Sequence, residues 1–445
     1  MLPSVLNIGP FSIHSLRVSM ARAGAALAGR HRPGHSRRRM LAALAALVAL
    51  GMAGGGAAWP GLAAAQTANP GAQPLRIGLI GPFTGPSADF GMPMHNGVRL
   101  AVDEINAAGG YLGRPLELVV KDDTAKPDVG RKLSEELVAD KVAATIGFCN
   151  TGVAQQSLEV FQNARIPLLI PCATGTPLTS KYPAPESYIF RTSARDAIQA
   201  PFIVQDIAKR GWTQVAVFAD TTGYGEAGLK DVEAALAARQ LKPVYVARFA
   251  TGVKDLGPEL QAARQAGANV IVGYTLGPEN AVIAKGRKAM KWDVPFVGPW
   301  TLSFPFFIDG AKEAAEGALM VQTFIAEPSN ERRASFLANY ARKFNATKIS
   351  MPVAAAQGYD TAYLLMYALF GVRATQLDGP AIKTALENIQ RNYYGVVATY
   401  EKPFSASDKD AVSANMLYLG QVKNGAVTFA YPEDAKRNLF VQRKQ

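Results

Sequence analysis

Reactive side chains are scarce in this chain of 445 residues, which carries four histidines and two cysteines. His14, His31 and His35 fall in an arginine-rich N-terminal stretch, so the rest of the chain has His95 alone. A Ser-His-Asp triad would have to use His95, which the apolar period sets early in a helix. One His and two Cys make no zinc site of ordinary ligand number unless carboxylates join. G-x-G-x-x-G and Walker sequences are absent, and the glycines of IGLIGPFTG (Ile77 to Gly85) are wrongly spaced for a nucleotide cradle. These absences argue against an enzyme; neither a cofactor nor a metal is expected.

Binding chemistry is better represented. IGFCNTG (Ile146 to Gly152) puts Asn150 and Thr151 directly after a β-rich run and at the start of a helical pattern led by Val153. Side-chain oxygens there cap, and free backbone N–H groups face outward as an anion site. PCATGT (Pro171 to Thr176) repeats the design with Cys172, Ala173 and Thr174. Side by side, two such loops clamp a carboxylate without any arginine. A plain helix cap is the competing reading for each threonine.

The elements that must carry these loops alternate. In Leu75 to Asp123, an aliphatic run (Arg76 to Ile80) meets a Gly-Pro turn. From Met94, the apolar residues Val98, Ala101, Val102 and Ile105 fall on one helical face. Gly109-Gly110 ends the helix and Leu116 to Lys121 is the next strand. This is a βαβ unit, whose strand-to-helix loop lies at the carboxyl edge of a parallel sheet, where open α/β folds bind ligands. Further strands are expected at Ala143–Phe148, Leu168–Pro171, Val215–Ala219, Val244–Phe249, Val270–Tyr274, Phe296–Val297 and Leu319–Phe324. A long helix is expected over Pro352–Phe370, and a hairpin around Asn424-Gly425. About eleven strands are too many for one comfortable domain. The fold class is therefore α/β with two Rossmann-like lobes: 75–192 plus 326–400, and 193–325 plus 401–445.

The formal charge of +12 does not indicate nucleic-acid binding. Seven arginines and no acidic residue lie in residues 1–65, and subtracting those seven leaves +5 spread along the remainder. Arg37 to Arg39, the apolar Leu41 to Leu50 and Ala63-Ala64-Ala65 before Gln66 read as a signal peptide over residues 1–65, with an over-extended start. Residues 66–74 read as a Pro/Gly/Ala linker.

The ordered set GPFTGPSADFG (Gly81 to Gly91), NGVRLAVDEINAAGG (Asn96 to Gly110), LGRPLELVVKDD (Leu112 to Asp123), IGFCNTGVA, PCATGTPLT, FRTSARD (Phe190 to Asp196) and YGEAGL (Tyr224 to Leu229) resembles the Leu/Ile/Val-binding family of type I extracytoplasmic solute-binding proteins. The resemblance runs from about Leu75 to near the C-terminus. It implies a type I periplasmic-binding-protein fold whose hinged lobes close over a ligand. Residues matching Thr151, Cys172 and Thr174 hold the ligand carboxylate in that family, with Asn150 the neighbouring candidate. Phe90 matches an aromatic that covers the ligand, Tyr224 a tyrosine from the second lobe, and Tyr274 or Thr275 a looser contact. Cys149 and Cys172 each end an expected strand; a disulfide and two small buried thiols are both open.

The departure from the family is Trp300, in VGPWTLS. Amino-acid binders of the family carry there a glutamate that pairs with the ligand's ammonium. Either another acid, such as Asp220 or Glu279, takes that role, or the ligand has no ammonium. The resemblance implies a monomeric periplasmic protein that delivers a small carboxylate to ABC permease subunits in the inner membrane. A ligand-sensor subunit on the same fold is the alternative.

Overall fold

The computed structural model describes residues 72–373, 375, 377–439 and 442–444. The signal-peptide reading over residues 1–65 and the linker as far as residue 71 lie outside the described residues.

The first sheet is built from β1 (Leu75–Gly81), β2 (Leu116–Asp122), β3 (Ala144–Ile146), β4 (Leu168–Ile170) and β5 (Ile189–Arg191), in the order β2-β1-β3-β4-β5. Every pairing in it is parallel. The central strands are almost wholly buried, which explains their unbroken aliphatic sequences. The crossovers are α1 (Ala88–Ala107), α2 (Pro127–Ala139) and α3 (Thr151–Ala164). Helix α1 starts six residues before the apolar period read from Met94, because Asp89 and the internal Pro93 interrupt that period in its opening turns.

The second sheet holds β6 (Val215–Asp220), β7 (Tyr245–Phe249), β8 (Val270–Tyr274), β9 (Phe296–Gly298), β10 (Leu319–Gln322), β13 (Tyr418–Lys423) and β14 (Ala426–Phe429), in the order β14-β13-β10-β9-β8-β6-β7. Strands β6 to β10 pair in parallel, whereas β13 joins β10 antiparallel and turns back as β14. Asn424 (φ 52°) and Gly425 (φ 70°) form that turn, both with the positive φ that a two-residue type I′ hairpin needs. Helix α4 (Asp196–Lys209) leaves β5 for this sheet and packs on α5 (Gly223–Ala237).

After β10 the chain returns to the first sheet. Helices α6 (Glu331–Phe344) and α7 (Pro352–Leu369) both pack on α1. A small antiparallel pair follows, β11 (Tyr393–Tyr394) with β12 (Thr399–Tyr400). Asp360 on α7 anchors it by accepting from the amides of Val396 and Val397, each at 2.8 Å. Residues 409–411 then run beside β5: the Arg191 amide donates to the Lys409 carbonyl and the Ala411 amide to the Arg191 carbonyl, each at 2.8 Å. The sequence reading put 401–445 with the second lobe, whereas this segment lies on the edge of the first sheet. No helix among the described residues is long and apolar enough to cross a membrane.

Candidate functional site

Two loops at the carboxyl ends of β3 and β4 are tied together. Cys149 and Cys172 form a disulfide with Cα atoms 4.5 Å apart, which resolves the two readings of the pair. The Thr151 hydroxyl accepts from the Gly175 amide at 3.2 Å, adding a second tie. Thr151, Cys172 and Thr174 are all buried. Asn150 holds the N-cap position of α3 by backbone alone. Its amide nitrogen donates to Ser87 at 3.3 Å and its Oδ1 has no hydrogen-bond partner. The expected side-chain cap is therefore absent. The Ala173 amide donates to the Phe148 carbonyl at 2.9 Å, so it is not one of the free donors the spacing implied.

An arginine does underlie the clamp. Arg191, fully buried at the end of β5, donates to the carbonyls of Thr174 and Gly175, each at 2.8 Å, and to Thr179 and Asp410, each at 2.6 Å. It pulls the carbonyl side of the β4 loop toward itself. Burial is the largest single influence and would raise the Asp410 carboxyl, but Arg191, Arg195 and the Thr179 hydroxyl together outweigh it and hold Asp410 below the usual carboxylate range.

Opposite these loops stand residues from the second sheet and its helices. Tyr224 on α5 and Tyr274 at the end of β8 are both buried, with ring centroids 5.2 Å apart. Trp300 follows β9; its indole stands edge-on to Phe304 at 5.0 Å, and Phe304 meets Phe90 of α1 at 4.9 Å. Phe90, Phe304 and Trp300 thus form one aromatic row from the first sheet's helix to the second sheet's loop. The sequence reading had no signal for Phe304, which sits four residues past Trp300 in a segment without a regular period.

A carboxylate that the sequence reading passed over lies among these groups. Asp196 is the first residue of α4 and is fully buried. Burial raises its carboxyl to about 7, against the lowering effect of the neighbouring Thr174 hydroxyl; Asp231 raises it further, while Arg191 and the Tyr274 phenol lower it. Gln199 donates to Asp196 Oδ1 at 3.1 Å, and Gln199 Oε1 accepts from the Trp300 amide at 3.3 Å. Asp196 Oδ2, Thr174 Oγ1, Tyr224 OH, Tyr274 OH, Thr275 Oγ1, Trp300 Nε1 and Thr301 Oγ1 are buried; Thr174 and Tyr274 face Asp196 and Thr301 faces Tyr224, yet none of the seven atoms has a well-aligned hydrogen bond among the described residues. Such a concentration of unspent polar atoms is rare in a core and common in a binding site. Asp196 closes the FRTSARD stretch, so its motif was visible although its role was not. Thr174, Trp300 and Gln199 also line one small cavity of about 10 Å³ together with Gln322, Thr323, Val353 and Gln357.

The other acids considered as ammonium partners are engaged in loops. Asp220 accepts from the Thr222 amide at 2.9 Å and from the Leu276 amide at 3.0 Å. Glu279 accepts from the Gly252 amide at 2.6 Å. His95 pairs with Asn96 and packs edge-on to Phe83 at 5.0 Å; burial lowers its pKa.

Comparison with known proteins agrees with this architecture. The profile of the family described as periplasmic binding protein matches residues 74–426. The leucine-, isoleucine-, valine-, threonine- and alanine-binding protein of Pseudomonas aeruginosa is 27% identical over 263 residues, 58% of this chain and 70% of that protein. A type 1 periplasmic binding protein from Bordetella pertussis superposes with a TM-score of 0.73 at 22% identity, over 80% of this chain and 99% of that one. An R. palustris ABC-transporter solute-binding protein in complex with benzoate superposes with a TM-score of 0.68 at 20% identity, over 80% and 96% of the two chains. With two sheets of type I arrangement and a profile match across most of its length, the chain belongs to the periplasmic binding protein family.

Proposed function

We propose that this chain is the extracytoplasmic solute-binding subunit of an ABC importer, and that it closes its two lobes over a small carboxylate with an apolar body. The single observation that carries this reading is the group of buried, unpartnered polar atoms where the first sheet's loops meet the second sheet's aromatics. In this reading, Thr151, Cys172 and Thr174, with Asn150 beside them, take the carboxylate, and Phe90, Tyr224, Tyr274 and Trp300 enclose the body. The chain crosses between the lobes after β5, after β10 and again between residue 411 and β13, and closure is a hinge motion that the membrane partner reads. The protein works as a periplasmic monomer and performs no chemistry.

The ligand is an aromatic or branched aliphatic acid without an α-amino group. By the family resemblance Trp300 stands where the ammonium-pairing glutamate is found, Asp220 spends both oxygens on loop amides, and Glu279 spends Oε1 on the Gly252 amide. An α-ammonium would be desolvated against aromatic faces, at a cost above what cation–π attraction returns. That the relative in P. aeruginosa binds amino acids and the R. palustris structure holds benzoate leaves both classes within the family's reach. A second reading, an α-amino acid, is favoured by one observation: Asp196 is a buried carboxyl beside Thr174 and Tyr274 whose Oδ2 lacks a well-aligned hydrogen bond.

Thermal-shift and calorimetric titration with aromatic acids, alkanoates, dicarboxylates and α-amino acids tests the function. Stabilisation by carboxylates is the expected outcome. No response to any of them would sink the reading.

A further inference from the structure

A groove of about 520 Å³ opens beside the site, within the size range of small-molecule pockets. Its walls are mostly apolar: Ile308, Phe324, Ile325, Leu337, Ile349 and Val353. They come from both sheets' helices and from the crossing after β10. The groove is not separate from the site. Gln322 and Val353 line both it and the small cavity that Thr174 and Trp300 share, so these two side chains form a common wall. At that wall Gln322 is 2% exposed and its Nε2 has no hydrogen-bond partner. Gln357, also 2% exposed, spends its Nε2 on Thr323 at 3.0 Å and leaves Oε1 unpaired. Gln322 thus brings an unspent amide to the wall that the cavity and the apolar groove share, and Gln357 brings another to the cavity side of it, which calls for a partner that the described residues do not supply.

We propose that the binding site continues past Gln322 and Val353 into this groove, and that the ligand is an extended acid: a carboxylate head, a flat or branched body beside Trp300, and an uncharged hydrocarbon tail of several carbons lying against Ile308, Leu337 and Ile349. The inference rests on the carboxylate reading of the main site and specifies the ligand class for it. A short acid fills only the inner part of such a site. A longer one also removes the groove's apolar walls from water, and each added methylene is worth about fourfold in affinity. The polar rim of the groove, with Lys348 and Ser350, leaves a tail end of modest polarity accommodated at the mouth.

Calorimetry with benzoate, 4-ethylbenzoate and 4-butylbenzoate tests the idea, run on the wild type and on Ala341→Trp and Ala346→Trp, which fill the groove from two different positions. In the wild type, affinity should rise by about fourfold per methylene along the series. In both variants the rise should vanish while benzoate binds as before. A flat or falling series in the wild type overturns the inference, and so does a rise that survives both filled grooves. Benzoate and leucine, measured alone, report on the main site separately. If neither they nor any other carboxylate binds, the carboxylate reading falls and this inference with it; if a short carboxylate binds while the longer benzoates gain nothing, only the extension into the groove is lost.

Discussion

Thr176 and Asp231 are joined across the cleft: the Thr176 hydroxyl, on the loop after β4, donates to the Asp231 carboxylate of α5 at 2.6 Å. Nearby, the N-terminal turns of α3 and α5 touch with glycine on each side. A Cβ on Gly223 would lie 3.0 Å from the Gly152 α-carbon and 2.5 Å from the Gln155 side-chain oxygen. In the hinge motion proposed above, these contacts belong to the closed arrangement, and they set how far the two helices can approach.

Gly223→Val should therefore disfavour closure without harming either sheet. Ligand affinity should drop by roughly tenfold or more, since about 1.4 kcal/mol against the binding-competent state suffices for that. Small-angle scattering should show a larger radius of gyration in the presence of ligand than the wild type has. An unchanged affinity would mean that the α3–α5 contact is not part of the bound form.

Thr174→Ala and Thr151→Ala should each weaken carboxylate binding. A hydrogen bond to a charged group contributes about 1.5–3 kcal/mol, so roughly a tenfold or larger loss is expected in each. The two should differ in stability: Thr151 also receives the Gly175 amide, whereas the Thr174 hydroxyl has no aligned partner. Calorimetry for affinity and denaturant titration for stability separate the effects. Equal affinity in both variants and the wild type would put the anion elsewhere.

The pH dependence of binding distinguishes the two ligand readings through Asp196, whose carboxyl is raised to about 7, burial being the main cause. An anionic ligand without an ammonium raises it further and takes up a proton, so affinity should fall as pH rises through about 7. An α-amino acid instead favours the carboxylate anion and releases a proton, so its affinity should rise as pH approaches 7 from below. Asp196→Asn should flatten either slope. For the protein alone, a raised carboxyl contributes stability that is complete below the unfolded value of about 3.9 and is lost as pH rises through about 7. The same substitution should flatten that part of the stability profile. Calorimetric titrations between pH 5.5 and 8.5 give the sign directly, and no slope for either ligand class would remove Asp196 from the site.

Replacing both Cys149 and Cys172 with serine should cost about 3 kcal/mol, the loss expected when a loop of this order is no longer closed in the unfolded chain. The disulfide also ties the β3 and β4 loops, so ligand affinity should fall along with the denaturation midpoint. Reduction of the wild type should reproduce both effects. Lost stability at full affinity would show that Thr151 and Gly175 alone hold the two loops in register.

Much of the framework was legible in the chain itself. Parallel strands buried on both faces must be continuous aliphatic runs, so β1, β6 and β8 stand out in the sequence. Asn424-Gly425 announces its hairpin, because few residue pairs accept two positive φ angles. The loops carrying Thr151 and Thr174 follow from strand-then-helix patterning. Helix α6 was not singled out, although Phe336, Tyr340 and Phe344 recur at helical spacing along it and the first two are buried. The segment at 409–411 was assigned to the other lobe because pairing with β5 spans more than two hundred residues and leaves no local trace.

By itself, the sequence determined the alternation of strands and helices, the scarcity of catalytic groups, and the strand ends that carry the candidate site loops, since these depend on local period and residue type. Only the tertiary structure decided which side chains meet. It put Asp196 beside Thr174 and the two tyrosines, set Arg191 behind the clamp, bridged Cys149 to Cys172, and ran Phe90, Phe304 and Trp300 into one row. Each of these joins distant stretches of chain through burial, and burial is what makes a carboxylate titrate near neutrality or leaves a hydroxyl without a partner. Those properties arise from the surroundings of a residue, and the surroundings exist only once the two sheets have packed.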